Sequence, residues 1–271
     1  MYRNETETAS TDAGPLRARP RRSARGSESA DRTPPVDLAH PRGPSLGAFL
    51  VGLQLTDSAF PSGFYTLSHG LEGFAQAGTV EQDTLAALLA DLLRHGIGPG
   101  DATALALAHR AASAVDPAGV ILVDERLYAT KLGRGIRLAA TRTGRQLIDL
   151  AAEVFDAPVI TAYAAAVARR ESPGTQAVAA GVVHAGAGVP IEQAVAADLF
   201  AFCASFAGAA VRLRLTDHRR AQVLLRGAAP VIEAVVHEAL DRDLADLGGH
   251  TFAADVVSGR HERAEARMFA T

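Results

Sequence analysis

Apolar residues recur along this chain at every third or fourth position and nowhere alternate with polar ones for long, so the pattern predicts helices throughout. Leu46, Phe49, Leu50 and Leu53 take the i, i+3, i+4, i+7 spacing of one helix face, where the folded domain is expected to begin. Thr56, Asp57 and Ser58 form a turn-prone cluster before Pro61 and Gly63 break the chain. A second helix is expected next, with Ser68, His69 and Glu72 on a polar edge beside Leu67, Leu71 and Phe74. Thr79 and Gln82 have capping-box spacing ahead of a helix through Leu85, Leu88, Leu89, Leu92 and Leu93. Gly96, Gly98, Pro99 and Gly100 are expected to end that helix, with Asp101 capping an Ala-rich successor to about Ala114.

Pro117 suits the start of another helix, and Leu147, Leu150, Ala151 and Val154 mark the face of one further along. Gly133, Gly135 and Gly144 are expected to cut that region into pieces. Pro158 introduces a segment to about Arg170, and Pro173 and Gly174 separate it from an Ala-Gly-Val helix ending near Gly188, whose small residues permit close approach. The longest clean pattern follows Pro190, where Ile191, Val195, Leu199, Phe202, Phe206, Ala209 and Leu213 predict the central core helix. Thr216 or Asp217 would cap the next, which carries Ala221, Leu224, Leu225, Ala228, Ile232, Val235 and Ala239 and which Pro230 should kink or divide. Gly248 and Gly249 then release a polar C-terminal segment. The fold class read from this pattern is all-α, a single-domain bundle of about ten helices over residues 46 to 271. Residues 1 to 45, rich in Arg, Pro, Ser, Thr and Glu, offer too little apolar surface to offset the entropy of ordering and are expected to form a disordered tail.

Composition narrows the function. A net charge of −3 leaves no dominant basic footprint for nucleic acid, although Arg17, Arg19, Arg21, Arg22 and Arg25 keep open a nucleic-acid-binding regulator as an alternative. One cysteine, Cys203, cannot form an intrachain disulfide and sits in an apolar run as a buried thiol, compatible with a reducing cytoplasm. The start of the chain lacks the basic and apolar regions of a secretory signal. The apolar stretch from Ala194 to Leu213 contains Asp198 and Arg212, and reads as a core helix rather than a membrane span. No phosphate-binding loop or dinucleotide fingerprint is present. A metal-dependent helical enzyme is the other alternative, yet His237-Glu238 and His261-Glu262 both lack the second histidine that would put two imidazoles on one helix face.

Pro61-Ser-Gly63, Tyr65, Ser68-His-Gly70-Leu71-Glu72 and Ala77-Gly78 together resemble the N-terminal signature of the UreF family of urease accessory proteins, with Phe64 where that family usually has a second glycine. Ala209-Ala-Val-Arg212-Leu213, with Gln222 ten residues beyond Arg212, is similar to the family's Ala-x-Arg-Leu and downstream Gln. Arg260-His261-Glu262 followed by Arg267-Met268-Phe269 resembles its terminal elements, so the similarity spans nearly all of residues 46 to 271. The resemblance implies a non-catalytic scaffold without cofactor, metal site, membrane contact or nucleic-acid partner. It implies a cytoplasmic homodimer that binds UreD (also called UreH), recruits the GTPase UreG and helps deliver nickel to apo-urease, with regulation of that GTPase left open. The candidate partner-contacting residues are Tyr65, His69, Glu72, Arg212, Gln222, Arg260, His261, Glu262, Arg267 and Phe269. Gln222 is also expected to bond a neighbouring turn. Residues 260 to 269 are expected to be a mobile charged tail whose aromatic anchor orders on binding.

Overall fold

The computed structural model describes residues 45–57, 60, 66–261, 268 and 269. The 61–63 turn, Tyr65, Glu262, Arg267, the side chain of His261 and the tail apart from Ser45 lie outside the described residues. Every described element is helical, with no strand among them, so the all-α expectation holds. Ser45 belongs to the domain: its Oγ accepts the Ala48 N–H at 3.1 Å and caps α1 (Leu46–Thr56).

Helix α1 starts at Leu46, the expected beginning of the folded domain, and its four-residue apolar face is the outer side, with Leu46, Phe49, Leu50 and Leu53 each at least half exposed. Ala48, Val51 and Leu55 face the interior, and α1 packs on α9 (Ile191–Arg212). The helix is apolar nearly all round, so periodicity could not choose its inner side. Small Ala48 allows the closer approach.

After a turn, α2 (Leu71–Gln76) starts later than the polar-edge pattern suggested, because His69 and Gly70 take left-handed backbone conformations at φ 53° and 83°. Glycine meets that geometry without strain, and the histidine does not. The following cap is shifted by two residues from the predicted one. Glu81 and Thr84 cap the 3-10 turn Gln82–Thr84, while the Thr79 hydroxyl donates to the Phe74 carbonyl at 3.2 Å.

The Gly-Pro cluster does not end the next helix. Helix α3 (Leu85–Asp91) runs into an 11-residue π segment, Leu92–Ala102, and on into α4 (Thr103–Ser113). The wider ladder accommodates Pro99, which has no N–H to offer, and the Thr103 hydroxyl donates to the Gly98 carbonyl at 2.9 Å. Gly98 is there for space, since a Cβ would sit 2.9 Å from a Val235 methyl on α10 (His218–Asp241). Asp101 caps nothing and instead accepts the Lys131 ammonium at 2.8 Å, at the end of α5 (Pro117–Thr130).

Helix α6 (Arg134–Val154) is likewise unbroken by Gly144, whose bare Cα lets the 174–176 backbone pass where a Cβ would lie 2.3 Å from the Gly174 carbonyl oxygen. Helices α7 (Pro158–Ala168) and α8 (Gln176–Gly186) follow as expected. Helix α8 is buried on all sides from Gln176 to His184, and α4 lies against it so closely that a Cβ on Gly181 would sit 2.5 Å from the Leu105 carbonyl oxygen. The centre is therefore shared by α8 and α9. Helix α9 alone among the described helices is long and apolar enough to cross a membrane, yet it packs on α1, α8 and α10 with Phe202, Cys203 and Phe206 inside. Asp217 caps α10 by accepting the N–H groups of Arg219 and Arg220 at 2.8 and 3.0 Å, and Pro230 leaves that helix undivided. Gly248 does not release the chain: its N–H donates to the Pro99 carbonyl at 2.9 Å, and α11 (Phe252–His261) packs on α2.

Candidate functional site

Glu72 opens the site because its surroundings contradict a solvated edge. It is 5% exposed, and its carboxylate accepts two backbone N–H groups from the far end of the chain: Met268 to Oε1 at 2.7 Å and Phe269 to Oε2 at 3.0 Å. Such charge-assisted bonds contribute roughly 1.5–3 kcal/mol apiece, more than an exposed ion pair. Phe269 is itself buried, and the Arg212 guanidinium lies over its ring with 4.4 Å between its carbon and the ring centroid. Arg212 is in the last turn of α9, where its Nε–H donates to the Gly208 carbonyl at 3.2 Å.

On the other side of this node, the His69 ring tilts against Phe202 with centroids 4.4 Å apart. Burial, reinforced by the Arg212 charge, pushes its pKa down to about 3, so the imidazole is neutral at ordinary pH. Four of the ten candidate residues, His69, Glu72, Arg212 and Phe269, thus meet at one place although nearly two hundred positions separate the first from the last. The expectation of a free polar edge at Ser68, His69 and Glu72 is corrected: Ser68 is fully buried and Glu72 nearly so. The anchor at Phe269 is likewise already seated within its own chain. Gln222 stands apart on the exposed face of α10, and among the described residues no hydrogen bond to a neighbouring turn holds it. Arg260 is exposed at the end of α11.

Behind the node is a cavity of about 180 Å³ between α6, α9, α11 and the segment preceding α2. Leu67, Ile97 and Phe202 give it apolar walls, and Asp101, Lys131, Asp198 and Asp255 face it alongside His69. Gln176 Nε2 donates to Asp198 Oδ1 at 2.7 Å, and burial raises this carboxyl to about pKa 6. Burial raises Asp255 too, against the opposing charge of His250.

A second buried carboxylate escaped notice in the sequence. Asp124 on α5 accepts from the Tyr163 hydroxyl at 2.8 Å, the Ser172 hydroxyl at 2.6 Å, the Gly174 N–H at 2.7 Å and both polar groups of Thr175, tying the α7–α8 loop to α5. One signal was available. Asp124 interrupts the face made by Val120, Val123 and Leu127, and a charge on an apolar stripe needs a built partner set.

Burial pushes the Cys203 thiol up to about 12, which keeps it protonated. His237 is exposed, and Glu238 beside it pairs with Arg242 at 2.9 Å. Among the described residues no three His, Cys, Asp or Glu side chains gather in a way that could hold a metal ion.

The UreF family model matches residues 80–229, more than half of the chain. The chain is 33% identical over 217 residues to the urease accessory protein UreF of Paenarthrobacter aurescens, covering 80% of this chain and 95% of that one. To the UreF of Xanthobacter autotrophicus it is 34% identical over 213 residues, covering 78% and 86%. To UreF 2 of Brucella abortus it is 29% identical over 226 residues, covering 83% and 93%.

Proposed function

The chain belongs to the UreF family of urease accessory proteins, and from that premise we propose that it is a non-catalytic adaptor in nickel insertion. In this reading a cytoplasmic homodimer binds UreD (UreH) and recruits the GTPase UreG, and the assembly delivers nickel to apo-urease. An adaptor couples hydrolysis to metal delivery only if it binds one nucleotide state of the GTPase more tightly than another, since a ligand shifts an equilibrium by its differential affinity alone.

The observation that supports this reading is the node of His69, Glu72, Arg212 and Phe269. Its ionisable groups are spent on internal ties: a neutral buried imidazole, a carboxylate filled by two N–H donors and a guanidinium stacked on a ring. That arrangement holds residues 268 and 269 against Glu72 and Arg212, which is a placement task rather than a reaction. The remaining candidates, Tyr65, Gln222, Arg260, His261, Glu262 and Arg267, are proposed as partner contacts from the family resemblance alone.

The test is co-purification of the tagged full chain with the UreD and UreG homologues of its own source. Wild type should retain both, and Phe269→Ala should lose at least tenfold of the captured UreD while its far-UV circular dichroism stays helical. Capture of neither partner by wild type would defeat the adaptor reading. Undiminished capture by the variant would remove the C-terminal end from the surface.

A further inference from the structure

The cavity behind the node has a lining that suits a ligand of one chemical class. Its titratable groups, among the described residues, are His69, Asp101, Lys131, Asp198 and Asp255. Lys131 is already committed to Asp101, with Nζ at 2.8 and 3.0 Å from the two carboxyl oxygens. His69 is held neutral by its burial. Asp198 therefore faces the same space with no cation set against it among the described residues, while Asp255 has His250 near it.

Asp198 is the better built of the two. Its Oδ1 accepts the Gln176 amide, which fixes the carboxyl plane, and its other oxygen has no hydrogen-bond partner among the described residues. The group is deep in the protein, yet the cavity keeps part of it accessible. The open oxygen faces the cavity, so a donor or a cation entering that space would be its partner. Most of the remaining wall is hydrocarbon, from Leu67, Leu92, Ile97, Ile136 and Phe202, with Thr143, Thr251 and Ser258 set among it. No three potential metal ligands gather there among the described residues, and the largely apolar wall favours a molecule with an apolar body.

We propose that this cavity is a binding site for a small organic amine, whose ammonium group pairs with Asp198 and whose apolar body lies against Phe202, Leu92 and Ile97. The volume of about 180 Å³ slightly exceeds the cavities of about 150 Å³ that hold benzene, which sets the body at about six to eight non-hydrogen atoms. An occupant reaching from Asp198 towards Asp255 and Ser258 would bridge α9 to α11, the helix that leads into the C-terminal segment. The site stands on the cavity alone, so it survives or fails independently of the adaptor reading.

Isothermal titration calorimetry on the full chain tests it, with benzylamine as probe and benzyl alcohol and benzoate as its neutral and anionic counterparts. Benzylamine should bind at least tenfold more tightly than either counterpart. Asp198→Asn, which keeps the shape and removes the charge, should weaken benzylamine at least tenfold. Ala140→Leu, which keeps every charge and fills the space, should do the same, and this variant decides the matter if the first does not fold. Equal binding of benzylamine and benzyl alcohol, no binding of benzylamine, or undiminished binding to the folded variants would overturn the proposal.

Discussion

Acidification from pH 7 to pH 5 should weaken this fold, and the structure sets both the sign and the size. His184 is buried and His69 largely enclosed, and their pKa values are pushed down to about 4 and about 3, from 6.5 when unfolded. As pH falls through 6.5 the unfolded chain takes up these protons and the folded one does not, so stability drains away until the folded values are reached. Each histidine costs about 2 kcal/mol between pH 7 and pH 5 by that linkage, or about 4 kcal/mol together. Asp198 acts in the opposite direction. Its folded pKa of about 6 lies above the unfolded 3.8, so the folded state gains its proton first and recovers about 1 kcal/mol over the same interval. His109, also lowered by burial, adds to the loss. The net expectation is a loss of about 3 kcal/mol, a large share of the stability of an ordinary domain. Urea unfolding followed by circular dichroism at constant ionic strength, at pH 7, 6 and 5, measures it directly. His184→Gln should remove about half of the histidine contribution to the slope whatever it does to stability at pH 7. A stability that is flat from pH 7 to pH 5, or a slope untouched in His184→Gln, would refute the reasoning.

The other expectations rest on single contacts. Glu72→Gln presents an amide NH₂ where an oxygen now accepts a backbone N–H, and should cost about 2 kcal/mol locally, read as faster hydrogen exchange in α11 with little change in global melting. Asp124→Asn weakens a buried acceptor that serves Tyr163, Ser172, Gly174 and Thr175 together, and should cost about 3 kcal/mol and lower the melting temperature in a thermal scan by several degrees. Gly181→Ala drives a methyl into the Leu105 carbonyl and should lose about 1–3 kcal/mol, whereas Gly227→Ala on the open face of α10 should gain up to about 1 kcal/mol. Equal effects of the two alanines in denaturant melts would show that close approach is not what Gly181 provides.

Helix existence was legible from spacing because 3.6-residue periodicity is a local property, and α3 to α10 all stand near their expected positions. The failures share one physical cause, which is that the deciding partner is distant in sequence. Gly144 reads as a breaker until the 174–176 backbone is seen crossing it, and Gly98 until Val235 arrives beside it. The face of α1 is ambiguous because apolar residues surround the helix and only α9 selects the side of Ala48. The site divides in the same way. Resemblance picked out His69, Glu72, Arg212 and Phe269, but nothing in their spacing reveals that Glu72 and Phe269 touch. The cavity was invisible for the same reason, since Asp198 and Gln176 become neighbours only when α8 and α9 pack.

That non-local dependence constrains how any partner could use this surface. The chain has no tryptophan and only 5% aromatic residues, so its core is assembled from small and aliphatic side chains on closely packed helices, with few large anchors at the ends of the bundle. Buried carboxylates hold those ends: Asp124 fastens the loop before α8, and Glu72 fastens residues 268 and 269 against α2 and α9. A partner that contacts the Arg212–Phe269 face has two routes. It can leave the two bonds to Glu72 in place and read the preformed surface, or it can pull the end away and must then satisfy a buried carboxylate itself, at a cost of several kcal/mol if it does not. The two routes separate experimentally. Under the first, Glu72→Gln weakens capture by loosening the surface. Under the second, it strengthens capture, because the end is released at lower cost, and the direction of the change in dissociation constant identifies the route.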